Sequence, residues 1–400
     1  MSSAVIIITK LKDVCDRITV GHVGPMAEEY REEGVPFLRS QNIAPFSLHL
    51  YDIKYIPPTF HEKLKKSALR PGDVAVVRTG YPGTACVIPE SLPEANCADL
   101  VVITPSEKLN PYYLAAIFNS SWGKSSVAGN LVGVAQQHFN VGAAREMEIT
   151  LPSRAMQDQI AGILSAYDDL IENNQRRIKI LEEMARSLYR EWFVHFRFPG
   201  HDKVKMVSSP LGPIPQGWEV KPLGELATVT MGLSPKGDTY NEEGNGTPLV
   251  NGPVEFGDRF TKRMKWTTDP TKFCKEGDLV VCVRGSTTGK YVKSDGMYCL
   301  GRGVCGISSK YQCFIELLFE SELPILLGQT SGSTFPSWTG PQLKSHRVLS
   351  PPVEVIARFD ALVLPMSAAV LGYSRQMKNL RRTRDLLLPR LLSGQIPLAS

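Results

Sequence analysis

Two long stretches of the chain carry apolar residues in alternating steps of four and three. The first runs Ile160, Leu164, Tyr167, Ile171, Asn174, Ile178, Leu181, Ala185, Leu188 and Trp192; the second runs Ile356, Phe359, Val363, Met366, Val370, Tyr373, Met377, Leu380, Arg384, Leu387 and Leu391. That spacing predicts two coiled-coil helices whose seams are interrupted by Asn174 and Arg384. Elsewhere the pattern is short. "DVAVVR" from Asp73, "DLVVIT" from Asp99 and "DLVVCVR" from Asp278 are β-branched runs bounded by Gly, Pro or Asp, which predicts buried strands. "AVIIIT" near the amino terminus predicts another strand, while "PYYLAAIFNSSWG" from Pro111 and "CFIELLFESE" from Cys313 predict helices. The fold class expected is α+β.

The pattern occurs twice. "LRPGDVAVVRTGYPGT" from Leu69 aligns with "CKEGDLVVCVRGSTTGK" from Cys274, "VPFLRSQNI" from Val35 with "TPLVNGPV" from Thr247, and "LPSRAMQDQIAGIL" from Leu151 with "SPPVEVIARFDALV" from Ser350. A Pro-, Gly- and Ser-rich linker, "FPGHDKVKMVSSPLGPIPQGWEV", separates the copies. The organisation read from this is a first globular domain (1–150), a helix (151–197), a linker and second globular domain (198–349), and a second helix (350–400). Each domain is expected to be a small α/β unit, the two pseudo-symmetric and separated by an antiparallel helix pair. The expected core of that pair is Leu164, Tyr167, Ile171, Asn174, Ile178 and Leu181 with Val370, Tyr373, Met377, Leu380 and Leu387. End-to-end pairing places Asn174 near Met377 or Tyr373, with Asn174 fixing register, and lays the Tyr167 ring over Arg384. Pro365 is expected to break or kink the second helix.

Four hundred residues with 42% hydrophobic content suffice for two cores. The formal charge of +5 suits a polyanion without demanding one. Eight cysteines without C-x-x-C spacing read as reduced, buried thiols and not as a zinc site. The start of the chain has no basic leader and no apolar run approaches the ~20 residues needed to cross a bilayer, so a cytoplasmic location is expected.

Catalytic patterns are sparse. "GSTTGK" from Gly285 is half of a phosphate loop and lacks its leading glycine spacing and following hydroxyl. Asp73 and Asp278 have no E-x-K partner and are expected to cap turns before strands. What recurs in both halves is a set of glycine-spaced polar loops: "RTGYPG" from Arg78 and "GNLVGVAQQHFN" from Gly129, then "RGSTTGK" from Arg284 and "GQTSGSTFPSW" from Gly328. Arg suits guanine, Gln and Asn suit adenine, and Ser and Thr reach bases or phosphates. The candidate DNA-contacting set is therefore Arg78, Thr79, Tyr81, Gln136, Gln137 and His138 in the first half, and Arg284, Ser286, Thr287, Thr288, Lys290, Thr330, Ser331, Ser333 and Thr334 in the second. Arg39 and Asn251, from the aligned "VPFLRSQNI" and "TPLVNGPV", join them. The scaffold repeats while the loop side chains differ, which suits a bipartite, asymmetric duplex target.

"NNQRRIKILEEMARSLYREWFVHFRFPGH" from Asn173, "LRRTRDLLLPRLLSGQI" from Leu380 and "PQGWEVKPLGEL" from Pro215 resemble the conserved segments of the specificity subunits of type I restriction and modification systems, and the half-repeat matches their layout. The resemblance implies two target recognition domains, each reading half of the target, and a helix pair that sets the spacer between the half-sites. It also implies a subunit that is not itself catalytic. Modification subunits would dock on the helices, with Glu182, Glu183, Arg186, Arg381, Arg382 and Asp385 among the exposed candidates. S-adenosylmethionine, ATP and magnesium would reside in the modification and motor-nuclease subunits, and no cofactor, metal or membrane would belong to this chain. A coiled-coil adaptor and a nucleic-acid-modifying enzyme with an unrecognised site are the alternative readings.

Overall fold

A computed structural model describes residues 7–131, 138–330 and 336–398. The chain divides into two compact units: residues up to Gln175 with those from Arg375 onward, and Arg176–Ser374. Each unit therefore contains one globular part and a portion of both long helices.

In the first unit, strands β1 (Cys15–Val20), β2 (Val74–Val77), β3 (Ala85–Val87) and β4 (Leu100–Pro105) form an antiparallel sheet in the order β1-β4-β2-β3. Ile103 stands opposite Ile18, Val101 opposite Val76 and Ala75 opposite Cys86. Both faces are covered. Val74 and Val76 turn towards helix α1 (Pro111–Asn119), where they pack with Leu114, Ile117 and Phe118, while Ala75 and Val77 turn to a second cluster with Leu38, Leu69 and Cys86. That two-sided burial is why "DVAVVR" reads as continuously apolar and does not alternate. The predicted helix from Pro111 is interrupted at Ser120, whose hydroxyl accepts from the Gly123 amide and starts a new helix, α2 (Ser121–Gly129). The amino-terminal strand begins, among the described residues, at Ile7 and pairs with Glu148–Leu151.

The first long helix, α3, spans Arg154–Tyr189. Gln157, 1% exposed, ties its first turn down by donating to the carbonyls of Pro152 and Lys108 and accepting from the Asn110 amide. Its last turn widens into a π turn, Arg190–Val194, before Phe196 takes a positive φ of 58° and ends the helix.

The second unit repeats the topology. Strands β5 (Thr228–Met231), β6 (Leu279–Cys282), β7 (Tyr291–Lys293) and β8 (Val304–Ser308) lie in the order β5-β8-β6-β7, followed by helix α4 (Gln312–Gly328). Leu279, Val281 and Ile307 pack against Phe314 and Leu318, and the same cluster takes in Tyr189, Trp192 and Phe193 from the end of α3. Phe193 lies 4.9 Å from both Phe314 and Phe359, ring centroid to centroid, and 5.9 Å from Trp218. Such aromatic pairs each contribute about 0.5–1.5 kcal/mol beyond their buried area. The aromatic run at the end of α3 is thus core, and part of the expected linker is a short hairpin, Met206–Ser209 with Gly212–Pro215.

The second long helix, α5, runs from Val353 to Leu392 without a break. Pro365 therefore does not interrupt it, against expectation. Proline removes one amide, orphaning the carbonyl of Ala361, and both residues are exposed, so water can serve that carbonyl. Gly394, with φ 70°, closes the carboxy-terminal end. Among the described residues α5 is long and apolar enough to cross a membrane by length and composition. That corrects the expectation of no such run. Ile356, Phe359 and Val363 bury the apolar stripe in the second unit's core.

Most of the expected helix core is inside: Leu164, Ile171, Asn174, Ile178, Val370 and Met377 are buried, and Tyr167, Leu181, Tyr373, Leu380 and Leu387 are half-buried. At the end of α5 the seam has moved by one residue, so Leu388 is buried in place of Leu387. In the first unit Asn174 meets Gln376, one position from the expected Met377. In the second, Arg177 stacks over Tyr373, 5.5 Å from the ring centroid. Both pairings run antiparallel. The predicted cover of Arg384 by Tyr167 is replaced: the guanidinium lies 4.5 Å from the centroid of Phe46 and pairs with Asp168. A loop residue of the globular part had no periodic signal to announce it.

Seven of the eight cysteines are buried and Cys15 is half-buried. Burial pushes the Cys86 thiol up to about 12, consistent with inert core residues.

Candidate nucleic-acid interface

The turn before β2 is built by Asp73, whose carboxylate accepts from the Arg70 amide at 2.9 Å and pairs with Arg17 at 2.7 Å. Asp278 accepts from the Lys275 amide at 2.9 Å in the equivalent turn before β6. These aspartates shape turns, as their position before the strands suggested. The strands they launch deliver the polar loops at their far ends.

In the first unit the loop between β2 and β3, Arg78–Thr84, is joined to the loop of His138 and Phe139. The Phe139 amide donates to the Arg78 carbonyl at 3.1 Å, and Arg78 Nε donates back to the Phe139 carbonyl at 3.1 Å. Arg78 Nη1 also pairs with Asp99 at 2.9 Å, and the Thr79 hydroxyl donates to the other Asp99 oxygen at 2.7 Å. Arg78 and Thr79 are therefore clamped to the scaffold. Tyr81, at the tip, is 84% exposed. Gly83 takes φ 87°, and a Cβ there would lie 3.2 Å from Val127 of α2, so the hairpin leans closely on that helix. His138 is half-buried, and Gln136 and Gln137 lie outside the described residues.

The second unit brings together the same pair of loops. The Trp338 amide donates to the Val283 carbonyl at 3.0 Å, and the Gly285 amide to the Pro336 carbonyl at 3.0 Å. Thr288 donates to the carbonyls of Gly285 and Pro336, at 2.8 and 2.7 Å, which makes it a brace. Thr330 likewise donates to the Leu327 carbonyl at 3.1 Å. Arg284, Ser286 and Lys290 are exposed and Thr287 is half-buried. Arg284 has no ion pair among the described residues: Val283 holds the place of Arg78 in the register, beside Gly303 where the first unit has Asp99, and Arg284 comes one residue later. Ser331, Ser333 and Thr334 lie outside the described residues.

The other two candidates follow a second pair of strands that run beside these loops: the amide of Ala98, next to Asp99, donates to the Leu38 carbonyl, and the Val283 amide donates to the Gly303 carbonyl. Arg39 pairs with Asp52 at 3.1 Å, and Lys54 and Arg39 together hold that carboxyl below its ordinary value. Asn251 packs on a glycine turn: a Cβ on Gly301 would overlap Asn251 Oδ1, and one on Gly303 its carbonyl. Both are half-buried.

The family model of the type I restriction modification DNA specificity domain matches residues 8–183 and again 215–359. The chain belongs to that family. The first match takes in the first globular part and most of α3, and the second takes in the second globular part and the start of α5. Among relatives, the MjaX type I restriction enzyme specificity subunit of Methanocaldococcus jannaschii, a provisional name, is 26% identical over 97% of this chain and 93% of its own. The MjaIX specificity subunit of the same organism is 27% identical over 63% of this chain and 61% of its own. The crystal structure of the S subunit of a type I restriction-modification system from M. genitalium has the same fold, with a TM-score of 0.64 at 14% identity, covering 100% of this chain and 98% of that one.

For this family member the sequence missed two things. Asp99, which clamps both Arg78 and Thr79, stands in "NCADL" with a positive φ of 53°. A polar residue directly before a buried strand was the available signal. The second is Trp122 on α2, 52% exposed, which the sequence placed in one continuous helix from Pro111.

Proposed function

We propose that this chain is the DNA-reading subunit of a type I restriction-modification complex, in which each recognition unit reads one half of a bipartite, asymmetric duplex target. One observation carries this: the same loop pair is presented from the same sheet topology in both units, with different exposed side chains at its tip. The first reader presents Tyr81, held out by the Arg78–Asp99 clamp; the second presents Arg284, Ser286 and Lys290. An exposed arginine suits a bidentate guanine contact and an exposed tyrosine suits a sugar or base-face contact. The helix pair sets the spacing between half-sites and its exposed faces dock the modification subunits.

The chain itself contributes recognition and not chemistry. S-adenosylmethionine belongs to the modification subunits, and ATP and magnesium to the motor-nuclease subunits where these are present. The complex acts in the cytoplasm, where its duplex substrate is.

Selection of bound sequences from random duplex DNA, with the chain and its modification subunit at stated salt, tests the proposal. Two different short motifs at a fixed spacing support it. A single motif, or a chain that binds no duplex and only protein, overturns it in favour of an adaptor, and calorimetric binding of a methyl donor to the isolated chain overturns the division of labour.

A further inference from the structure

Within the first unit the two helix portions are oppositely charged. Arg154 to Gln175 of α3 carries four carboxylates against one cation, whereas 375–392 of α5 carries six cations against one carboxylate. Arg384 is the one turned inward, onto Asp168 and Phe46. Lys378, Arg381 and Arg382 are exposed, and their side chains make no ion pair or hydrogen bond among the described residues. At about 100° per residue the three fall within a single sector of roughly 100° on the helix surface. Like charges at i,i+3 and i,i+4 cost a helix about 0.2–0.5 kcal/mol per pair, so Lys378 with Arg381 and with Arg382 is an arrangement that an outside anion would relieve.

The fold ties this segment to the reading loop. Phe46, which carries the Arg384 guanidinium, donates its amide to the carbonyl of Ala85 at 3.0 Å, and Ala85 directly follows the Arg78–Thr84 hairpin. Arg384, within one turn of Arg381 and Arg382, thus lies two contacts from the base of the first reading hairpin.

We infer that Lys378, Arg381 and Arg382 form a phosphate-contacting stripe that grips the sugar-phosphate backbone of the duplex between the half-sites. The inference rests on the reading above and goes beyond it: it moves Arg381 and Arg382 from the docking surface to the duplex, and makes this flank of the spacer helix a contact surface for the sequence that is not read. A row of flexible, unpaired cations matches a backbone of evenly spaced phosphates, carries no base preference and lowers the salt tolerance of binding.

The test uses the full chain with Lys378→Gln, Arg381→Gln and Arg382→Gln combined, and duplexes carrying either the selected target or a scrambled one. The expected result is equal weakening on both duplexes, and a slope of log affinity against log salt that is shallower by about 0.9 per lost phosphate contact, about 2.7 for three. The charge-preserving combination Lys378→Arg, Arg381→Lys and Arg382→Lys should restore the slope, which separates a charge effect from a folding defect. An unchanged slope overturns the stripe, as does a triple Gln variant that loses only its assembly with the modification subunit. If instead the unsubstituted chain does not prefer the selected target over the scrambled one, the two-reader proposal fails, whatever the slope of the variant.

Discussion

Asn174 and Gln376 meet across the helix pair of the first unit, Asn174 Nδ2 donating to Gln376 Oε1 at 3.1 Å. Asn174 is 2% exposed, while Gln376 lies at the surface. A buried amide with a single partner at a seam position specifies register at a cost in stability. Asn174→Leu should therefore raise the thermal midpoint by about 2–4 °C for each kcal/mol gained. Gln376, already solvated, loses little. The same variant should show broadened or duplicated NMR resonances along α3 as the register loosens. A lower midpoint in differential scanning calorimetry would show that the amide is net stabilising.

Asp168 and Arg384 form an ion pair whose side chains are 24% and 9% exposed. Removing the arginine alone, as Arg384→Met, leaves a desolvated carboxylate and should cost about 3 kcal/mol, whereas Arg384→Met with Asp168→Leu should recover most of it. Burial raises the Asp168 carboxyl above its ordinary value even beside the guanidinium. The folded chain thus favours the protonated acid. That contribution to stability is fully present below the unfolded pKa and is lost as pH rises through the folded one. The deficit of Arg384→Met should accordingly be largest at neutral pH and shrink on acidification, as read by denaturant titration at several pH values.

Arg78 and Arg284 hold equivalent places in sequence but different ones in structure, one clamped by Asp99 and one exposed. Arg284→Ala should cost about 1–3 kcal/mol in binding, confined to the second half-site, with the unfolding midpoint unchanged. Arg78→Ala should act through the loop: binding at the first half-site falls together with stability, and Asp99→Ala reproduces it. Binding assays on duplexes mutated in one half-site at a time separate the two. Equal loss at both half-sites from either variant would contradict separate readers.

The repeat, the strands and the seams were legible because each has a period that sequence displays: steps of four and three for the helices, unbroken β-branched runs for strands covered on both faces. Asp73 and Asp278 were legible for a related reason, since a Gly-Asp pair before such a run has one common use. The clamp on Arg78 was not, because Asp99 is 21 residues away and its role appears only once β2 and β4 are paired. Phe46 over Arg384 was hidden in the same way, by 338 residues of separation between a loop and a helix. Pro365 misled because a mid-helix proline costs about 3 kcal/mol without having to end the helix: α5 is held by packing on either side of it, and the orphaned carbonyl of Ala361 is exposed to water.

The helix pair offers a decisive test of the proposed spacing role. Deleting the matched heptads 171–177 of α3 and 373–379 of α5, which contain the Asn174–Gln376 and Arg177–Tyr373 contacts, removes one repeat from each seam. Seven residues shorten a helix by about 10 Å, or about three base pairs of duplex. The deletion turns a helix face by only about 20°, because seven residues are close to two full turns. Three base pairs turn the duplex by about 100°. Distance and rotation cannot then be satisfied together, so the optimum spacer should shorten and the best attainable affinity should also fall. Selection from duplexes with randomised spacer length reads both. A preferred spacer that stays where it was would remove the helices from any part in setting it.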